Sequence, residues 1–212
     1  PPHQHPMYRR QRQKCIRDSL APDHVFPLAH NDVFLAIKSV IEERGPVVLI
    51  GDSAGGNLAM GALMKWMGER LPTGQIIGLG LLSPWCDLRV DAASIRNNMI
   101  AHSPFSHEDS MDYSKQYLAG HTPNDPLVSP LLHKSFSSWP NVYLEWSLDE
   151  FLAPDVQALH RRLVEDNVPV KMRTEPEAVH GWQLLPDFLP EARRSSENLG
   201  SWIRSRQELQ LT

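Results

Sequence analysis

A chain of 212 residues is long enough for one domain with a sizeable core, and its 41% hydrophobic and 22% charged content is that of an ordinary globule. A net charge of −4 argues against a dedicated nucleic-acid binder. No apolar run reaches bilayer-spanning length and no signal-peptide core is visible at the start, although the chain does not begin with Met; two cysteines, Cys15 and Cys86, provide no disulfide framework, so the cytoplasm is the expected compartment.

Residues 1–18 lack any apolar period. They are Pro-rich at first and then carry Arg9, Arg10, Arg12, Lys14 and Arg17, which predicts a solvated, poorly ordered basic arm. A helix follows, with Val33, Phe34, Ile37, Val40 and Ile41 on one face, Asn31 or Asp32 as its cap and Gly45-Pro46 as its stop. Pro46 to Ile50 is a short β-branched run, predicted as a buried strand, and Leu58, Ala62, Leu63 and Trp66 give helical spacing from Asn57 to Gly68. Ile76 to Ser83 is a second strand. Residues 89–125 are polar and broken, with a short helix around Ser110 to Leu118. His102, His107, Asp109, Asp112 and His121 do not repeat as metal-ligand pairs do, so a solvated surface is the expectation there. A third strand is predicted at Pro140 to Ser147, a helix from Pro154, a fourth strand at Val168 to Thr174 and a last helix from Pro190. Strands alternating with helices predict an α/β fold with a doubly wound, mostly parallel sheet.

Between the first strand and its helix lies Gly51-Asp52-Ser53-Ala54-Gly55. Gly-x-Ser-x-Gly alone is a weak signal, but at a strand–turn–helix junction it lifts a Ser hydroxyl above the sheet, with Gly51 and Gly55 as the small neighbours the turn needs. The helix behind Ser53 favours negative charge developing on a tetrahedral oxygen, and the Ala54 N–H is the expected oxyanion donor.

The longer string from Val48 to Ala59, Val-Leu-Ile-Gly-Asp-Ser-Ala-Gly-Gly-Asn-Leu-Ala, resembles the nucleophile elbow of the hormone-sensitive-lipase-like α/β-hydrolases, a family of serine carboxylesterases. Three other segments resemble the same family: Ser19 to Pro27, Ser83-Pro84-Trp85-Cys86-Asp87-Leu88, and Asp125 to Leu131. The resemblance makes His24 a structural loop residue. It implies an α/β-hydrolase fold and implies no cofactor and no metal. Trp85 falls at a strand end, where it either lines an acyl pocket or belongs to the core.

Asp149 lies just past the third strand and His180 in the loop after the fourth. Ser53, then Asp149, then His180 is the order of the α/β-hydrolase triad. Ser53 would be the nucleophile, His180 the base that takes its proton, and Asp149 the acid that holds the imidazole. Glu150 is the alternative acid. Asp155 is a third, more naturally placed in the first turn of a helix.

The family's His-Gly-Gly-Gly oxyanion loop has no counterpart in this sequence. The resemblance spans Ser19 to Arg206, so residues 19–212 are expected to form a partial α/β-hydrolase domain, truncated at its amino end. Losing an oxyanion donor costs about 2.7–4 kcal/mol of transition-state stabilisation, so Ala54 alone implies a slow enzyme. Without an early strand beside it, the first strand would expose an edge open to a second copy of the chain. The leading expectation is a serine ester hydrolase acting on small or medium acyl esters. The alternatives are a secondary-metabolite tailoring hydrolase or dehydratase of the same fold, or a binding protein with impaired catalysis.

Overall fold

The computed structural model describes residues 19–90 and 107–209. The expected basic arm, Cys15 and His102 lie outside them. The elements run α1 (Leu28–Arg44), β1 (Val47–Asp52), α2 (Ala54–Gly68), β2 (Ile76–Leu82), α3 (His107–Leu118), β3 (Val142–Ser147), α4 (Ala153–Glu165), β4 (Val170–Glu175) and α5 (Pro190–Glu208). The strands form one sheet in the order β1-β2-β3-β4, and each neighbouring pair is parallel.

Side-chain alternation along the strands divides the protein into layers. Leu49 of β1, Leu79 and Leu81 of β2, and Val142, Leu144 and Trp146 of β3 share one core with Phe34 and Ile41 of α1, the inner side of α2, and Val156, Leu159 and Leu163 of α4. On the opposite face Val48, Leu82 and Tyr143 pack on Trp202, Leu199 and Ile203 of α5. The α5 face closes because β2 carries glycine there. A Cβ on Gly78 would lie 2.9 Å from the Trp202 ring, and one on Gly80 would lie 3.2 Å from Ile50. Beneath α5 the fully buried Glu145 accepts hydrogen bonds from Tyr143 (3.0 Å) and Ser195 (2.6 Å), and Arg173 lies 3.5 Å from its second oxygen. Its charge is thus compensated.

Helix α1 begins earlier than its polar residues suggest. Pro27 precedes its first turn, and neither Asn31 nor Asp32 caps it. Asn31 instead accepts from Lys65 (2.7 Å), and Asp32 accepts from Ser19 (2.5 Å). Each carboxamide or carboxylate has found a partner on another segment, so the cap was not needed to satisfy it. The sheet has two edges among the described residues, β1 and β4. Ile50 on the β1 edge is 45% exposed. Among the described residues, no helix is long and apolar enough to cross a membrane.

Candidate active site

Ser53 sits between the end of β1 and the start of α2 with φ +50° and ψ −119°. A positive φ is costly for a residue with a Cβ, so the surroundings must enforce it. Two backbone hydrogen bonds do so. The Ser53 N–H donates to the Leu82 carbonyl at 2.9 Å, and the Trp85 N–H donates to the Ser53 carbonyl at 2.9 Å. The turn is tight enough that a Cβ on Gly51 would lie 2.3 Å from the Gly55 carbonyl oxygen, and one on Gly56 would lie 2.8 Å from Pro84. Here the structure amends the sequence expectation. Glycine is demanded at 51 and 56, whereas the nearest atom to a Cβ on Gly55 is Asp52 Oδ1 at 3.8 Å.

The loop after β4 brings His180 to this turn. Its Nε2 lies 2.8 Å from Ser53 Oγ. Its Nδ1 lies 3.0 Å from Glu150 Oε2. With Nδ1–H donating to the carboxylate, Nε2 is left to accept the Ser53 hydroxyl proton. The imidazole is 5% exposed and the Glu150 carboxyl is fully buried. Phe151 packs edge-on against the imidazole, ring centroids 5.2 Å apart.

The acid behind the imidazole is therefore Glu150 and not Asp149. The turn after β3 explains the difference. The Asp149 N–H donates to Ser147 Oγ (3.3 Å), and the Asp149 carboxylate turns outward to accept from the Glu177 N–H (3.1 Å). The next side chain then points inward, and the extra methylene of Glu reaches the ring. Asp155 lies in the first turn of α4. Burial and the neighbouring Asp87 push its carboxyl up to about 7, against the opposing pull of Arg89.

Ser53 and Ala54 stand at the wall of a cavity of about 700 Å³ whose lining is mostly apolar, including Val33, Ile37, Leu58, Leu88 and Phe151. Trp85 lines this cavity and also packs, partly buried, against the core. Ala54 is the first residue of α2, where the helix leaves its leading N–H groups without intrahelical acceptors. Asn57, one turn on, donates to the carbonyls of Trp85 (2.9 Å) and Val128 (2.8 Å), fixing the cavity wall to α2. Cys86 is a buried free thiol, its ionisation pushed up first by burial and then by the surrounding carboxylates. Among the described residues no three His, Cys, Asp or Glu side chains are grouped to hold a metal ion.

Ser, an acid and His, in that chain order and at the carboxyl ends of β1, β3 and β4 of a parallel sheet, have the layout of the triad on α/β-hydrolase folds. The chain belongs to the alpha/beta hydrolase fold family, whose profile matches residues 16–184. It is 32% identical over 189 residues to an acetyl-hydrolase of Streptomyces hygroscopicus, covering 87% of this chain and 62% of that protein. It is 26% identical over 192 residues to an esterase of Acinetobacter venetianus, covering 88% of this chain and 62% of that protein. Among solved structures, an esterase from the bacterial hormone-sensitive lipase family superposes with a TM-score of 0.82 at 27% identity, covering 88% of this chain and 63% of that one. The chain thus spans somewhat less than two thirds of the length of these relatives.

Proposed function

We propose that this chain is a serine ester hydrolase that cleaves small or medium acyl esters through an acyl-enzyme, with Ser53, His180 and Glu150 as its catalytic residues and Ala54 as an oxyanion donor. The observation that carries the reading is the continuous path from Glu150 through both ring nitrogens of His180 to Ser53, at 3.0 and 2.8 Å. As the hydroxyl oxygen attacks an ester carbonyl, its proton passes to Nε2. The buried Glu150 carboxylate stabilises the imidazolium so formed. The oxyanion of the tetrahedral intermediate lies against the Ala54 N–H at the positive end of α2. On collapse, Nε2–H protonates the departing alcohol, and a water activated by the same nitrogen releases the acid. The apolar cavity beside Ser53 supports an aliphatic or aromatic acyl or alcohol group over a charged one.

The test is labelling of the folded protein with an alkyl fluorophosphonate, alongside turnover of p-nitrophenyl acetate and butyrate. The reading expects one adduct, on Ser53, and hydrolysis that Ser53→Ala abolishes. Hydrolysis equal in protein and Ser53→Ala variant would overturn it.

Self-association through the exposed β1 edge belongs to the same proposal. Among the described residues β1 has a neighbouring strand on one side only and a half-exposed Ile50, which makes its other side a template for a strand of a second copy. The buried free thiol of Cys86 favours a reducing compartment such as the cytoplasm.

A further inference from the structure

Ser83 is in contact with the supports of all three groups of the site. It lies between Leu82 and Trp85, the two residues whose backbones hold Ser53 by its N–H and its carbonyl. Its own N–H donates to the Glu145 carbonyl at 2.7 Å, on the strand that runs on towards Glu150. Its φ of +45° turns the chain sharply out of β2. The side chain of Ser83, 1% exposed, accepts a hydrogen bond from Gln183 Nε2 at 3.1 Å, and Gln183 is itself 5% exposed. Gln183 is the middle residue of the short 3-10 turn Trp182–Leu184 that begins two residues after His180. Trp182 beside it is 1% exposed, so these two residues anchor the turn in the interior, while Leu184 faces outward.

We infer that Gln183 is a positioning residue: through its buried hydrogen bond to Ser83 it ties the turn that carries His180 to the backbone clamp on Ser53, and so sets the distance between base and nucleophile. This rests on the ester-hydrolase reading of the site. Among the described residues it is the side-chain hydrogen bond that joins the 181–184 turn to the end of β2, 100 residues away in sequence. The triad contact itself is a hydrogen bond that must be made and broken in each cycle, so it is a poor device for holding its own geometry. A bond that takes no part in proton transfer can hold it throughout. A displacement of about 1 Å in a reacting group costs on the order of a hundredfold in rate.

The experiment uses the full chain and replaces either end of the bond: Gln183→Met, of similar shape without a donor, and Ser83→Ala, with the double variant. With p-nitrophenyl butyrate, each single variant is expected to lose 10- to 100-fold in kcat with KM within twofold. The double variant should fall no more than about threefold below the worse single one. A second readout needs no turnover: the downfield proton resonance of the His180 Nδ1–H in its bond to Glu150 should broaden or vanish in both variants at a pH and temperature where it is sharp in the unaltered protein. If one variant fails to fold, the other carries the test. The inference is overturned by kcat within twofold of the unaltered protein and an unchanged resonance, by an effect on KM alone, or by losses that multiply in the double variant. If the unaltered chain hydrolyses no ester and takes no phosphonate, the ester-hydrolase reading falls, and the resonance still decides whether Gln183 sets the imidazole.

Discussion

Glu150 and His180 meet at 3.0 Å inside the protein, while Asp149, the residue before, faces outward to the Glu177 amide. Two adjacent acids therefore have opposite expected roles. Glu150→Gln removes the charge that stabilises an imidazolium and should lower kcat for a p-nitrophenyl ester by about 10³- to 10⁴-fold. Asp149→Asn keeps an acceptor for the Glu177 N–H and should leave kcat within about threefold. Steady-state kinetics on the pair decide the matter, and the reverse pattern would return the acid to Asp149.

The turn that carries Ser53 separates its glycines in the same way. On Gly51 a Cβ would meet the Gly55 carbonyl at 2.3 Å and Gly56 N at 2.6 Å, both backbone atoms that cannot step aside. Gly51→Ala should cost more than about 3 kcal/mol or prevent recovery of folded protein. Gly55→Ala meets nothing closer than 3.8 Å and gains helix propensity in the first turn of α2. Its stability should stay within about 1 kcal/mol of the parent. Urea denaturation followed by circular dichroism measures both.

Asn57 is 3% exposed and its amide serves two carbonyls from distant segments. Asn57→Ala leaves the carbonyls of Trp85, part-buried, and Val128, buried, without that donor. The expected cost is about 2–6 kcal/mol, at about 1–3 kcal/mol for each of the two carbonyls. Denaturant midpoints at constant slope would show it.

Two buried groups should oppose one another in the pH dependence of stability. Asp155 is pushed up to about 7, first by burial and then by Asp87. Its contribution is complete below its ordinary value of 3.8 and is lost as pH rises towards 7. His30 is lowered by burial to about 4, so its contribution is complete above 6.5 and is lost as pH falls towards 4. Asp155→Asn removes the first effect alone. Its stability relative to the parent should climb between pH 4 and 7, by up to about 4 kcal/mol. Paired thermal melts across that range check the sign; a difference that shrinks with rising pH would contradict it.

At the β1 edge, Ile50→Lys places a charge where a second strand would pair. If the edge mediates self-association, sedimentation velocity should show the variant shifted to the monomer, with its fold unchanged.

The alternation of short apolar runs with helical periods made the parallel sheet legible, because both signals come from local burial patterns that the sheet then satisfies. Ser53 was legible from its small neighbours at a strand–turn–helix junction, and His180 from the Ser–acid–His order that puts it in the loop after the fourth strand. The acid was not, since Asp149 and Glu150 are equivalent in a string. The hydrogen bonds of the Asp149 N–H to Ser147 and of the Glu177 N–H to the Asp149 carboxylate turn Asp149 outward and leave Glu150 facing in. The start of α1 was misjudged because Asn31 and Asp32 look like caps until Lys65 and Ser19 come near them in space. Gln183 carried no signal, because its partner Ser83 lies a hundred positions away. What depends on contacts between segments far apart in the chain cannot be read from spacing along it.

The nucleophile, the acid and the base leave from the ends of β1, β3 and β4, and each is carried by its own connection. Such a layout ties turnover to the agreement of separate loops more than to survival of the sheet beneath them. On gradual heating, turnover should therefore fade at a lower temperature than the far-ultraviolet signal of the helices, and return on cooling as long as the sheet has stayed intact.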